Sequence, residues 1–151
     1  MYFEDVHEGE TFESPPRRVT QDDVERFASL TGDRNPVHLD EDYAKGTPFG
    51  RRIAHGMLTL SLGLGQWSSA GITDDSLVAL VELRDVRFLL PVFPGDTVQL
   101  KSRLDEKRAL RSKPDSGLAV YEHTLWNGKG EVVLRYHITI LLKRRDPLPA
   151  A

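Results

Sequence analysis

Between Met57 and Trp67 apolar side chains stand at Met57, Leu58, Leu60, Leu62, Leu64 and Trp67, separated mainly by small Ser61, Gly63 and Gly65. A helix over this run has almost no polar face, so the run reads as a buried helix, with a short buried strand as the competing reading. Gly63 and Gly65 would then let a neighbouring element approach the helix backbone closely. Upstream, Thr20-Gln21-Asp22-Asp23 has the form of a helix start, with Thr20 as cap, two acids at the positive end of the dipole, and Val24, Phe27 and Ala28 as the buried stripe. Gly32 ends that helix. Asp40 caps a second, short one whose inward residues are Leu39, Tyr43 and Ala44, so that the turn between them lies between two helices.

After Gly71 the period changes from helical to strand-like. Leu77 to Phe88 predicts a strand, and beyond the Pro94-Gly95-Asp96 turn Val98, Leu100, Ser102 and Leu104 alternate with Gln99, Lys101, Arg103 and Asp105, a strand with one wet face. Lys113-Pro114-Asp115-Ser116-Gly117 reads as a loop, and Asn127-Gly128-Lys129-Gly130 as a hairpin turn joining Leu118–Trp126 to Val132–Leu142. On the last strand Val132, Leu134, Tyr136, Ile138, Ile140 and Leu142 share one face. One buried helix followed by several long antiparallel strands predicts an α+β layer architecture, a single domain over residues 1–151 without repeats or linkers.

Composition narrows the chemistry. The chain of 151 residues has no cysteine, which excludes disulfides and thiolate catalysis and permits a reducing cytoplasm, the expected location. The amino terminus has no basic flank or apolar run of signal length, and no segment is long enough to span a bilayer, so neither export nor a membrane partner is expected. A net charge of −3 argues against nucleic acid as a partner, although Arg17-Arg18, Arg51-Arg52, Lys107-Arg108 and Lys143-Arg144-Arg145 are local basic clusters.

The chemistry-bearing residues concentrate in two short segments. In Gly32-Asp33-Arg34-Asn35-Pro36-Val37-His38 a carboxylate and an imidazole sit five positions apart on a turn punctuated by glycine and proline, so both can bend toward one point and act as a general acid/base pair on a water. The same residues also suit a plain surface turn in which Asp33 and Asn35 bond their own backbone. The second segment, His55-Gly56-Met57, opens the apolar helix. Gly63-Leu64-Gly65 lacks the third glycine of a dinucleotide fingerprint, Thr59-Leu60-Ser61-Leu62-Gly63 has only half of a nucleophile elbow, and His38 and His55 lack metal-site spacing.

Phe27 to Leu60 resembles the signature of the MaoC-like dehydratases, the (R)-specific enoyl-CoA hydratases: an aromatic, a small residue, then Gly32-Asp33-x-Asn35-Pro36-Val37-His38, followed by His55-Gly56. Val86 to Asp96 resembles that family's strand and turn ahead of its long hairpins. The resemblance implies a helix over Met57 to Trp67 and the hot-dog fold, a curled antiparallel sheet wrapped around a central helix, with sheets paired edge to edge in dimers. It implies hydration of a trans-2-enoyl thioester to a (3R)-3-hydroxyacyl thioester. The substrate is carried on coenzyme A or an acyl carrier protein, and neither metal nor redox cofactor is needed. In that reaction Asp33 would accept a proton from water, and His38 would hold the same water and help deliver or accept the C2 proton. The expected donor to the enolate oxygen is the Gly56 N–H, which is unused at the first turn of a buried helix. Asn35 and His55 are positioning residues: Asn35 orients Asp33 or tightens the turn, and His55 reads as a structural donor. Two alternatives carry different expectations. A thioesterase on this fold places a carboxylate at the central helix, where Met57 to Trp67 has none, and a non-catalytic subunit of a heterodimeric dehydratase has no chemical reason to keep both Asp33 and His38.

Overall fold

The computed structural model describes residues 1–147 and Pro149. Two short strands, β1 (Thr11–Glu13) and β2 (Arg17–Arg18), precede helix α1 (Gln21–Thr31), two short helices α2 (Pro36–Leu39) and α3 (Glu41–Lys45), and helix α4 (Gly56–Ser68). Strands β3 (Leu77–Phe88), β4 (Thr97–Leu110), β5 (Lys113–Asn127) and β6 (Val132–Lys143) follow. All pair antiparallel in the order β1-β4-β5-β6-β3, with β2 also on β4. The inner face of this curled sheet wraps α4, an α+β hot-dog fold.

α1 starts where its capping chemistry dictates. The Thr20 hydroxyl accepts from the Asp23 N–H at 3.1 Å while the Asp23 carboxylate accepts from the Thr20 N–H at 2.9 Å, and Gly32 closes the helix at φ 80°, where a side chain would be strained. α4 is the helix that the apolar run predicts. Its Leu58, Leu60 and Trp67 are buried against a core that includes Leu100, Leu104, Leu125, Leu134, Tyr136 and Leu142.

The two glycines of α4 separate in role. A Cβ on Gly63 would lie 2.7 Å from Leu125 Cδ1 and 3.3 Å from the Tyr136 hydroxyl, so helix and sheet touch there, whereas a Cβ on Gly65 would meet nothing within 4 Å. The expectation of close packing holds for Gly63 and fails for Gly65, which faces outward. Gly63→Val should therefore lose about 1–3 kcal/mol by overpacking. Gly65→Ala should be neutral or gain up to about 1 kcal/mol of helix propensity. Denaturant titration of the two variants checks this, and equal effects would place the helix wrongly.

Three expectations need correction. Lys113-Pro114-Asp115-Ser116-Gly117 is not a loop but the start of β5. The chain reverses at Arg111-Ser112, and the register jumps from Ala109↔Gly117 to Leu110↔Lys113, so the proline and serine mark a bulge. Gly117 itself is covered by the Phe3 ring, 2.4 Å from where a Cβ would stand. Tyr43 is 52% exposed rather than inward, because the five residues of α3 bury only Ala44. The third concerns the turn between helices: Pro36–Leu39 is itself a helical turn, so His38 sits on α2 and not on irregular chain.

β3 occupies its expected span but not an expected environment. It closes one end of the sheet, and Leu77, Val78, Leu80, Val81 and Phe88 are all exposed on it. No helix among the described residues is long and apolar enough to cross a membrane.

Candidate active site

The site is assembled by backbone-directed hydrogen bonds in the short segment after α1. Past Gly32, the Asp33 N–H donates to the Thr31 hydroxyl at 3.2 Å; Asp33 Oδ1 accepts from the Asn35 N–H at 3.3 Å, and Asn35 Oδ1 accepts from the Val37 N–H at 3.1 Å. These two successive Asx turns start α2, with Asn35 as cap and Pro36 in the first turn. The expected surface turn, in which Asp33 and Asn35 bond nearby backbone, is what these bonds form. The Asn35 side chain tightens the turn, and its backbone N–H is what holds the Asp33 carboxylate.

Two histidines lace this turn to the segment before α4. His38 Nδ1 lies 2.8 Å from the Ile53 carbonyl, and His55 Nε2 lies 3.0 Å from the Asp33 carbonyl. A carbonyl only accepts, so each of those nitrogens carries the proton. Neutral His38 is left with a bare Nε2, and neutral His55 with a bare Nδ1. The rings stack with centroids 3.8 Å apart, and the Phe27 ring packs on His55 at 4.9 Å. The Gln21 side chain adds a bond to the His38 carbonyl at 3.1 Å, tying α1 to α2.

The result is convergence. A carboxylate oxygen of Asp33 and one ring nitrogen each of His38 and His55 lie within 4.8 Å of one another. Asp33 and Asn35 are exposed, His38 is half-buried and His55 is 2% exposed. Burial pushes the His38 pKa below 6.5, with a push in the same direction from His55; the Ile53 carbonyl and Asp33 act in the opposite sense without cancelling it. The shift favours the neutral imidazole, whose Nε2 is then the bare nitrogen.

Gly56 stands at the first position of α4, where His55 supplies no side-chain cap, and its N–H has no partner among the described residues. It borders an open groove of about 420 Å³ lined by Phe49, Ile53, Thr59, Phe88 and Leu90. A Cβ on Gly56 would lie 2.9 Å from the Phe88 ring, so the glycine also accommodates that ring. Phe88 and the two carbonyls that set the histidine tautomers were not legible as site features. Carbonyls leave no residue-type signal, and Phe88 reads as one more apolar strand residue. A larger cavity, about 730 Å³, lies on the other flank of α4 between Pro15, Pro16, Leu62 and Gln66, and none of the residues expected to carry chemistry lines it.

A second titratable group, Asp105, Glu122 and His137, lies on the outer face of the sheet. Arg103 takes one oxygen of each acid, Asp105 Oδ1 at 2.8 Å from Nε and Glu122 Oε1 at 3.6 Å from Nη2, so this is a cross-strand row of alternating charge.

Comparison with known proteins places the chain and its fold in a family. Residues 3–127 match the MaoC like domain, and the chain belongs to that family. It is 39% identical over 106 residues to 3-hydroxybutyryl-CoA dehydratase of Methylorubrum extorquens, covering 70% of this chain and 65% of that one. It is also 31% identical over 128 residues to Protein MaoC of Klebsiella aerogenes, covering 85% of this chain but 37% of that protein, so it spans only part of these relatives. A solved structure described as a monoamine oxidase regulatory protein from Archaeoglobus fulgius superposes with a TM-score of 0.89 at 39% identity over 95% of each chain. A Mycobacterium tuberculosis protein with a double hotdog fold superposes with a TM-score of 0.85 at 25% identity, over 99% of this chain and 46% of that one.

Proposed function

We propose that the protein interconverts trans-2-enoyl and (3R)-3-hydroxyacyl thioesters by adding or removing water. The observation that carries this reading is the convergence of the Asp33 carboxylate and the His38 imidazole beside the open N-terminus of α4. In hydration, a water donates one hydrogen bond to Asp33 and the other to the bare Nε2 of His38. As its oxygen bonds to C3 the pair takes one proton, and negative charge builds on the thioester oxygen, which the Gly56 N–H and the helix dipole stabilise. The pair then returns a proton to C2, leaving the protein in its starting state. His55 acts through position: its bond to the Asp33 carbonyl and its stack on His38 hold the two reacting groups together. The direct test is turnover of a panel of trans-2-enoyl-CoA thioesters, followed by loss of the conjugated absorbance. Inactivity across the panel would overturn the reading.

The protonation state yields a separate prediction. Because burial favours neutral imidazole, the His38 ring should titrate with a midpoint below 6.5, and the acid limb of hydration should lie there too, with His38 able to act as base throughout neutral pH. Histidine ring resonances followed by NMR check this without relying on activity. A midpoint above 7 would contradict the buried, carbonyl-bonded ring.

The same reading includes a dimer. β3 leaves one edge unpaired and presents Leu80, Val81 and Phe88 to solvent, and a second copy is the occupant that covers such an edge symmetrically. Light scattering should give twice the chain mass of 17.0 kDa or a multiple of it, and a stable monomer would refute this.

A further inference from the structure

Phe88 ends β3, an edge strand, yet its ring lies against the first residue of α4. Its Cε1, Cδ1 and Cζ occupy the place of a side chain on residue 56, at 2.9, 3.0 and 3.3 Å from where a Cβ would stand. The ring is nevertheless 52% exposed, and it forms one wall of the groove of about 420 Å³ that Gly56 borders. Polarity does little in that groove. Among the described residues no charged side chain lines it, and its one hydroxyl, on Thr59, is spent on the His55 carbonyl at 3.3 Å. What such walls discriminate is shape.

We propose that Phe88 sets the substrate class by excluding acyl groups branched at C2, so that the enoyl thioesters accepted are unbranched beside the carbonyl. The proposal rests on the hydratase reading, in which the Gly56 N–H holds the thioester oxygen. Within two bonds of that oxygen lie the carbonyl carbon, the sulfur and C2. The first two are common to every thioester, so C2 is the only one whose substituents vary between substrates. A ring packed on Gly56 stands beside those atoms, with room for a hydrogen on C2, whereas a methyl there is driven against the ring. Glycine and aromatic act together. The missing Cβ leaves the N–H open, and the ring fills the space that a side chain would take, so the donor is reached through a narrow slot.

The test compares crotonyl-CoA with tiglyl-CoA, the same enoyl thioester with a methyl on C2. The wild-type protein should favour crotonyl-CoA in kcat/KM, and Phe88→Ala should shrink that preference about 10–200-fold, the range that one methyl commands in an apolar pocket. Comparing the preference between proteins cancels the lower intrinsic reactivity of the branched thioester. Phe88→Leu, which keeps an apolar side chain, should move the preference the same way by a smaller factor, and it carries the test if the alanine variant does not fold. Val78→Ala, at an exposed position of the same strand outside the groove, should leave the preference as it was. An unchanged preference in the folded Phe88 variants, or wild-type protein that turns over tiglyl-CoA as fast as crotonyl-CoA, overturns the proposal. Calorimetric binding of the saturated pair butyryl-CoA and 2-methylbutyryl-CoA separates it from failure of the hydratase reading. If no enoyl thioester turns over but the affinity ratio of that pair still narrows about tenfold in Phe88→Ala, the exclusion stands and the reaction falls. If the ratio is the same in both proteins, the exclusion falls.

Discussion

Asp33→Asn and His38→Ala should each lower hydration by about two to four orders of magnitude while the protein stays folded. Both side chains lie on the segment between α1 and α3, outside the apolar core, so neither change opens a large cavity. The two losses should not add if, as proposed, both groups serve one water and one proton. The double variant should be about as slow as the slower single one. Near-normal turnover in either soluble single variant would remove that residue from the reaction. His38→Asn offers a finer separation: an amide can keep the bond to the Ile53 carbonyl but cannot cycle a proton, so it should be as slow as the alanine variant if proton transfer is the role of His38.

Closing access to the Gly56 N–H should have a comparable effect, but the structure changes how it must be tested. A side chain at Gly56 would first strike the Phe88 ring, so Gly56→Val alone confounds a blocked donor with a displaced aromatic. The informative protein is Gly56→Val in a Phe88→Ala background, measured against Phe88→Ala. Where one oxyanion donor has been removed the barrier rises by roughly 2.7–4 kcal/mol, about 10²–10³ in rate, and an obstructed donor should approach the lower end of that range. A Ser61→Ala control on the same helix should change turnover little. If the doubly substituted protein matches its Phe88→Ala parent, the thioester oxygen is not bound at the start of α4. The acid/base assignment would survive that result.

Much of this site is legible in the chain because its parts are local. Gly32 is needed where α1 ends in a left-handed turn, and Asp33 and Asn35 form short-range bonds that depend only on side-chain length and sequence separation. Thr20 and Asp23 set the start of α1 in the same way, and the all-round apolar run from Met57 has to be buried wherever it lies. Local chemistry of this kind does not depend on what packs against it. The alternation of β4 and the Asn127-Gly128-Lys129-Gly130 reversal are legible for the same reason, since strand period and turn type are properties of neighbouring residues.

What the tertiary structure decided are the relations between distant segments. The pairing of β3 with β6 rather than with the next strand follows from the crossover between Phe88 and Thr97, which carries β4 to the opposite side of the sheet. No residue pattern encodes which edge that connection reaches. The Lys113–Gly117 stretch looked like a loop because proline, serine and glycine mark any departure from a regular ladder, and only the partner strand distinguishes a bulge from a reversal. At the site, Asp33, Asn35, His38, His55 and Gly56 can be picked out by type and spacing. The proton positions on the two histidines cannot, because they are set by the carbonyls of Ile53 and Asp33, and every residue has a carbonyl. The lowered His38 pKa has the same origin: burial and the stack on His55, seventeen residues away, create it, and neither exists until the two segments pack together.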